Sequence, residues 1–144
     1  MAVLHFTSAL GRLKITDSKG AYVVQATSGS GKCTNNPKCE GMSNLGPIPR
    51  GQYVVCRKDI NNPGMMHDIV RNSLYGDWGD WRVGIRSPSG SPMPMGRGGF
   101  YIHGGRYPGS AGCIDVGGGV LGNSVTDRVL KSLQETEVSE LWVD

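Results

Sequence analysis

The sequence predicts a mainly β fold with one or two short helices. Segments rich in β-forming residues recur along the chain, and turn residues separate them, since 23 of the 144 residues are glycine and 8 are proline. One segment near the carboxyl end has an apolar stripe with helical spacing. This length suits a single domain with a hydrophobic core and is short for two, so residues 1–144 are expected to form one domain.

The first half of the chain predicts strands on either side of a long loop. Residues 12–29, RLKITDSKGAYVVQATSG, alternate as a hairpin does, with a turn at 17–20 and a second strand over 22–25. Residues 28–44 are rich in Gly, Ser, Asn, Lys and Pro and are expected to form a surface loop. Residues 46–58, GPIPRGQYVVCRK, predict a turn and then a strand, because the two prolines bar a helix there.

The second half predicts three further strands, the last of them a short one directly after Cys113, and two helices. A short helix is expected between Asn61 and Leu74, with Pro63 near its first turn. The segments WRVGIRS at 81–87 and FYIHG at 100–104 are expected strands, and the Gly- and Pro-rich loop SPSGSPMPMGRGG connects them.

The carboxyl end predicts the clearest helix of the chain. Asn123 or Ser124 can cap it, and it is expected to continue to about Glu137. Its apolar stripe consists of Val125, Val129, Leu130 and Leu133. The last residues, LWVD, are either a closing strand or a tail.

Charge and hydropathy exclude several classes of partner. The net charge of +3 comes from 15 basic and 12 acidic side chains, which is too mild and too dispersed for a nucleic-acid surface. No apolar run approaches the ~18 residues of a membrane span. The start, MAVLHFTSALGRLKI, lacks the basic-then-apolar layout of a signal peptide. The sequence therefore predicts no membrane span and no export by the common route.

Three of the four cysteines precede residue 60 and leave two kinds of site open. Cys33 and Cys39 enclose an Asn-Asn-Pro turn that can bring their sulfurs together, and a Cys39–Cys56 bridge is the competing pairing. A zinc site built on the same three thiols is the alternative, although no Cys-x-x-Cys knuckle is present. A short-loop disulfide between Cys33 and Cys39 is the favoured interpretation.

His103 and Cys113 are candidate catalytic residues because of the glycines around them. A cysteine nucleophile needs a base and backbone donors for the oxyanion that forms during attack. His103 would be the base, and the N–H groups around Gly112 and Cys113 would form the oxyanion hole. The alternative is a buried structural thiol and an unrelated loop histidine.

Other aromatic residues are expected to be structural. His5 and His67 have no cysteine or carboxylate paired with them in the sequence, so both are predicted to be structural or at the surface. Trp78 and Trp81 either line a peptide or sugar groove or pack in the core, and the core is favoured.

The motifs around His103 and Cys113 resemble the L,D-transpeptidase catalytic domain, the YkuD-like family. The match consists of IHG at 102–104 and SAGCI at 110–114. Their ten-residue interval is most similar to the compact L,D-transpeptidase effectors delivered by type VI secretion. Upstream segments resemble the family in order: GRL at 11–13, SGSG at 28–31, NNP at 35–37, GPIPRGQY at 46–53 and MGR at 95–97.

This resemblance implies a fold and a mechanism. The fold would be a YkuD-like β-sandwich or barrel. Cys113 would attack the diaminopimelate carbonyl of a peptidoglycan tetrapeptide stem and expel the terminal D-alanine, and His103 would activate the thiol and protonate the leaving amine. The carbonyl of Gly104 would orient the imidazole ring, and Ser110 would help to hold an SAGC turn. No metal and no organic cofactor is required.

Two positions depart from the family pattern. Typical members have a second histidine where this chain has Ala111, which leaves His103 as the candidate base of the motif. They have Arg or Asn where this chain has Asp115, whose negative charge would repel a substrate carboxylate. Arg97 and Arg106 are the candidates to supply the missing contact.

The resemblance also implies where the protein acts. With no signal peptide, it would be a type VI effector that reaches the periplasm of a target cell, with a secretion-apparatus carrier and a cognate immunity protein as partners. Hydrolysis, D-amino acid exchange and 3-3 cross-linking all stay open, with trimming and exchange favoured. The alternatives are a non-catalytic wall-binding module of the same fold and another cysteine amidase or endopeptidase of the wall.

Overall fold

The computed structural model of the protein describes residues 2–61, 81–105, 110–118 and 123–144. Within these ranges it is mostly β, with one α-helix, as the sequence predicts. The strands are β1 Val3–Thr7, β2 Arg12–Asp17, β3 Gly20–Gln25, β4 Thr27–Gly29, β5 Gly51–Asn61, β6 Arg82–Arg86, β7 Tyr101–Gly105, β8 Ser110–Gly118 and β9 Val138–Val143, and the helix is α1 Ser124–Gln134. The predicted helix after Asn61 lies outside the described residues, as do His67 and Trp78.

The described strands form one nearly closed, barrel-like sheet in the order β3-β2-β1-β9-β5-β6-β7-β8-β4. The pairs β1–β9 and β7–β8 are parallel, and the other neighbours are antiparallel. The closing segment LWVD is therefore a strand rather than a tail, and it lies in the middle of the sheet, between β1 and β5. None of the described helices is long and apolar enough to cross a membrane.

The predicted hairpin is confirmed and forms one end of the sheet. β2 pairs with β3 without interruption from Arg12 opposite Gln25 to Asp17 opposite Gly20. Leu13 and Ile15 alternate into the core and are fully buried, as a half-buried strand requires.

Helix α1 begins where its capping residues predict. The Asn123 side chain accepts a hydrogen bond from the Thr126 N–H, and the Thr126 side chain accepts one from the Asn123 N–H, which makes a reciprocal capping box. The buried face consists of Thr126, Val129, Leu130, Ser132 and Leu133. Val125 is 42% exposed, so its predicted place on the apolar stripe is wrong. The helical period does not account for this, because Val125 falls between buried Ser132 and Val129 around the helix; it lies in the first turn of α1.

Trp81 belongs to the core rather than to a groove. It is fully buried, and its Nε1–H donates to the Thr126 carbonyl at 3.1 Å. The core interpretation of Trp81 is therefore confirmed. His5 lies exposed on β1, and its Nε2 is 2.8 Å from a carboxylate oxygen of Asp144, which is the surface position the sequence predicts.

The predicted long loop is partly regular and is closed by a disulfide. Strand β4 occupies residues 27–29, so the loop begins later than the composition suggests. Cys33 and Cys39 form a disulfide with their Cα atoms 5.6 Å apart, and Cys56 is a free, half-buried thiol. The Cys39–Cys56 pairing and the three-thiol zinc site are thus not what the structure contains, because two of the thiols are joined to each other. His, Cys, Asp and Glu side chains of the described residues form no metal-binding cluster.

Candidate active site

His103 and Cys113 lie on adjacent parallel strands, β7 and β8. Ile102 is opposite Ile114, and His103 is opposite Asp115. Because side chains alternate along a strand, the two isoleucines enter the core while the residues beside them lie on the other face of the sheet. Strand pairing therefore brings the predicted histidine and cysteine together.

The imidazole of His103 has defined partners on both sides. Its Nδ1–H donates to the Gly104 carbonyl at 2.6 Å, as the motif implies. This leaves Nε2 for the thiol, and a side-chain hydrogen bond joins His103 to Cys113. The ring is 4% exposed, so these contacts are largely shielded from water.

The environment raises the pKa of His103 above its ordinary value. Burial acts to lower the pKa of the ring, but the hydrogen bonds to Cys113 and to the Gly104 carbonyl and the negative charges of Cys113 and Asp115 together outweigh it. A histidine that holds its proton to higher pH is suited to face a thiolate. Chemically, the arrangement suits transfer of a proton between the thiol and the imidazole.

Gly112 allows β8, the strand that carries Cys113, to pass close to its neighbours. It has φ of +89°, a region that other residues rarely adopt. A Cβ at this position would overlap the Phe100 ring and lie 3.0 Å from Nη2 of Arg97. Ser110 begins β8, and its backbone pairs with Gly29 of β4. The predicted role of Ser110 in holding the SAGC segment concerns a side chain outside the described ones and stays a prediction.

The structure gives Arg97 a different role from the predicted substrate contact. The side chain is 6% exposed. Its Nη1 donates to the carbonyls of Glu40 and Pro47 at 2.7 Å each, and Nη2 donates to the carbonyl of Gly46 at 3.0 Å. A buried guanidinium whose donors are used by three carbonyls is not available to a substrate carboxylate. Arg106, the other candidate, lies outside the described residues and stays a prediction.

Asp115 lies beside the histidine instead of facing open solvent. It is 4% exposed, and its Oδ1 accepts the Gly117 N–H at 2.7 Å. Its strand neighbours are His103 on β7 and Thr27 on β4. Its charge is among the causes that raise the pKa of His103.

Sequence reasoning missed one cation at the site, Arg82. It lies on β6 directly opposite His103, is half-buried, and has its guanidinium carbon 5.1 Å from the centre of the Tyr101 ring. The alternation of buried Val83 and Ile85 in WRVGIRS indicates that Arg82 faces away from the core. That signal is in the sequence, but the pairing of β6 with β7 is not, so nothing linked this arginine to the histidine.

Comparison with known proteins identifies the fold and the family. Residues 22–139 match the family model described as the Tlde1 domain. Among curated proteins, no sequence matches the chain.

Three solved structures have the same fold over 99% of this chain. Bd1075 of Bdellovibrio bacteriovorus has a TM-score of 0.62 at 14% identity, with 47% of its chain covered. The L,D-transpeptidase from Mycobacterium smegmatis has a TM-score of 0.53 at 13% identity, with 58% covered. The helical cell shape determining protein Pgp2 from Campylobacter jejuni has a TM-score of 0.56 at 13% identity, with 47% covered. The chain thus spans about half the length of these proteins, and the YkuD-like fold is confirmed.

Proposed function

The chain belongs to the Tlde1 domain family, and from this premise we propose that it is an L,D-carboxypeptidase and L,D-transpeptidase acting on peptidoglycan tetrapeptide stems. Family and fold support the broader description, a peptidoglycan-modifying effector of type VI secretion. The observation that carries the specific proposal is the hydrogen-bonded pair of His103 and Cys113 on adjacent strands.

The first half-reaction transfers the stem to the enzyme. The Cys113 sulfur forms a bond to the diaminopimelate carbonyl carbon while Nε2 of His103 holds the thiol proton. The tetrahedral intermediate collapses, its C–N bond breaks, and the imidazolium gives its proton to the departing D-alanine amine. The Gly104 carbonyl keeps Nε2 directed at the sulfur. The N–H groups near Gly112 and Cys113 stabilise the oxyanion.

The second half-reaction releases the stem. Water gives hydrolysis, a free D-amino acid gives exchange, and the amine of another stem gives a 3-3 cross-link. In each case His103 takes a proton from the attacking group and the thiol is restored. No cofactor takes part in these steps, and we favour trimming and exchange as the main outcomes.

Arg82 is the group we assign to the substrate carboxylate. This chain has Asp115 where the family has Arg or Asn. Arg97 is buried, and its guanidinium donates hydrogen bonds to three backbone carbonyls. Arg82 lies opposite His103 on the face away from the core, and its position over Tyr101 holds the guanidinium at that face. A charge-assisted contact there would hold the stem next to the nucleophile.

The proposed site of action is the periplasm of a target cell. The substrate lies outside the cytoplasm, and a type VI apparatus would deliver the protein there. A carrier of that apparatus and an immunity protein made by the producing cell are the expected partners. Expression directed to the periplasm of a susceptible bacterium should cause growth or shape defects, whereas cytoplasmic expression should not.

Mass spectrometry of purified tetrapeptide muropeptides tests the chemistry. We expect the wild type to remove one D-alanine, or to replace it with an added D-amino acid, and Cys113→Ala to do neither, a loss of at least ~1,000-fold. Cys56→Ala is the matched control, because it removes the other free thiol of the described residues and should keep full activity.

Unchanged muropeptides with a folded wild-type protein would overturn this function. Binding to intact sacculi in that case would identify the wall-binding module. Cleavage of a different bond would identify an amidase or endopeptidase.

A further inference from the structure

We propose that Arg97 is a positioning residue that sets the location of Cys113 relative to His103, and that the disulfide-closed loop at residues 30–47 holds Arg97 in place. The inference deepens the proposed function, because it concerns how the same nucleophile is held. It assigns a role to a buried cation and to a disulfide that the reaction itself does not use.

The guanidinium of Arg97 binds the loop through its planar fork. Its acceptors are the carbonyls of Glu40, Gly46 and Pro47, at 2.7, 3.0 and 2.7 Å. Three carbonyls from two parts of one loop therefore converge on a single side chain. A lysine ammonium is one point charge on a flexible stem and cannot match that planar set of acceptors.

The other side of Arg97 meets the nucleophile strand. Its guanidinium carbon is 5.3 Å from the centre of the Phe100 ring. Gly112 approaches both groups so closely that an added Cβ would overlap the ring and come within 3.0 Å of Nη2. Because Cys113 follows Gly112 directly, a shift of this support shifts the sulfur. A displacement of ~1 Å at a reacting atom can cost ~100-fold in rate.

The loop itself is held by the Cys33–Cys39 disulfide. Gly46, whose carbonyl binds Arg97, packs against the Cys39 carbonyl so closely that a Cβ would overlap it. Gly29 packs in the same way against the Cys33 carbonyl, and its strand β4 pairs with β8. The two ends of the disulfide thus connect to the nucleophile strand by two routes, one through Arg97 and one through β4.

The experiment compares Arg97→Lys and Arg97→Met with the control Arg50→Met. Arg50 holds the same loop through the Glu40 carboxylate, with its Nε at 2.8 Å, but its side chain has no described contact with Gly112. Arg97→Lys keeps the charge and loses the fork, whereas Arg97→Met loses both. All variants carry Cys56→Ser, so that Cys113 is the free thiol whose alkylation is measured.

The first readout is the rate at which iodoacetamide alkylates Cys113 at pH 6 and at pH 9, measured by mass spectrometry of the cysteine peptide. It needs no peptidoglycan. At pH 9 an ordinary thiol is mostly ionised, so the variants should agree within about twofold. At pH 6 only a thiol held by its base reacts quickly, and we expect Arg97→Lys to be about tenfold slower than Arg50→Met.

The second readout is turnover of the tetrapeptide stem. We expect kcat of Arg97→Lys to fall about 100-fold with KM changed less than about threefold, because orientation is lost while binding is kept. In the double variant Cys33→Ser/Cys39→Ser, kcat should fall about tenfold with KM nearly unchanged. Treatment of the wild type with a thiol reductant should have the same effect.

The proposal would be overturned if Arg97→Lys had the same ratio of alkylation rates at pH 6 and pH 9, and the same kcat, as the wild type. So would an effect of Arg97→Met that its unfolded fraction, measured by circular dichroism, accounts for completely. A wild type that is alkylated at pH 6 but turns over no stem would reject the proposed function. The alkylation comparison would then still decide the role of Arg97.

Discussion

The two ends of the sheet are built from similar strands but are paired differently. At one end β2 and β3 pair without a break, from Arg12 opposite Gln25 to Asp17 opposite Gly20. At the other end the register shifts twice, between His103 and Gly105 in the β7–β8 pair and along β4 against β8. In a regular pair of strands, side chains alternate strictly between the two faces of the sheet. A shift in register changes the direction in which nearby side chains point.

The two ends also bury different groups. The hairpin buries Leu13 and Ile15, whereas the β7–β8–β4 end buries the ionisable side chains of His103, Asp115 and Arg97. Buried polar groups stabilise a protein only when each has its partners, so they cost more to maintain than apolar contacts. The hairpin end thus buries apolar side chains, and the other end holds the groups to which we assign the proposed chemistry.

The largest expected effect comes from placing the same substitution at both ends. Gly112→Ala puts a methyl group into the Phe100 ring at φ of +89°, and we expect at least ~100-fold loss of stem turnover per folded molecule and about 3 kcal/mol of stability. Gly20→Ala is the control, because its φ is +130° but a Cβ there meets nothing within 4 Å.

Gly20→Ala should cost about 1 kcal/mol of unfolding free energy and leave turnover unchanged. Urea unfolding and muropeptide assays measure the two effects. Equal losses of activity in both variants would show that the contrast between the two ends is wrong.

A smaller effect is expected from arginines at the two ends. Arg82→Gln should raise KM for the stem about tenfold and change kcat less than about threefold, because a charged contact to the bound carboxylate is replaced by a neutral one. Arg12→Gln, on the exposed side of the hairpin, should leave both constants unchanged. A fall in kcat with unchanged KM in Arg82→Gln would contradict the assigned role and point to the imidazole instead.

The smallest expected effect is on the titration of His103. Asp115→Asn keeps an oxygen for the Gly117 N–H but removes a charge that raises the pKa of His103, so this pKa should fall. A raised folded-state pKa stabilises the protein fully below the ordinary value of about 6.5, and that stabilisation is lost as pH rises through the raised pKa. In Asp115→Asn the loss of stability should therefore begin at the same pH, be complete at a lower pH, and be smaller.

NMR titration of the imidazole protons measures this shift directly. An unchanged His103 titration would show that Asp115 does not act on the ring.

Much of the fold followed from local patterns. The hairpin at 12–25, the strands at β5, β6 and β7 and the cap of α1 at Asn123 were predictable, because alternation, turn residues and capping depend on neighbours along the chain. Val125 was placed on the buried face although it is exposed in the first turn of α1. Ser28 and Gly29 of β4 were assigned to the loop, because a strand of three residues is too short to carry a period.

The sequence by itself determined the chemistry available to this protein: one histidine and one cysteine set in glycine-rich motifs, a pair of cysteines around a turn, and a mainly β core. Only the tertiary structure decided which of the other charged residues lie near His103 and Cys113. In the fold, Arg97 is buried and donates hydrogen bonds to three backbone carbonyls, Asp115 lies beside the imidazole, and Arg82 lies opposite His103. The reason is physical, because strand register joins residues far apart in the chain and is set by the packing of the whole sheet.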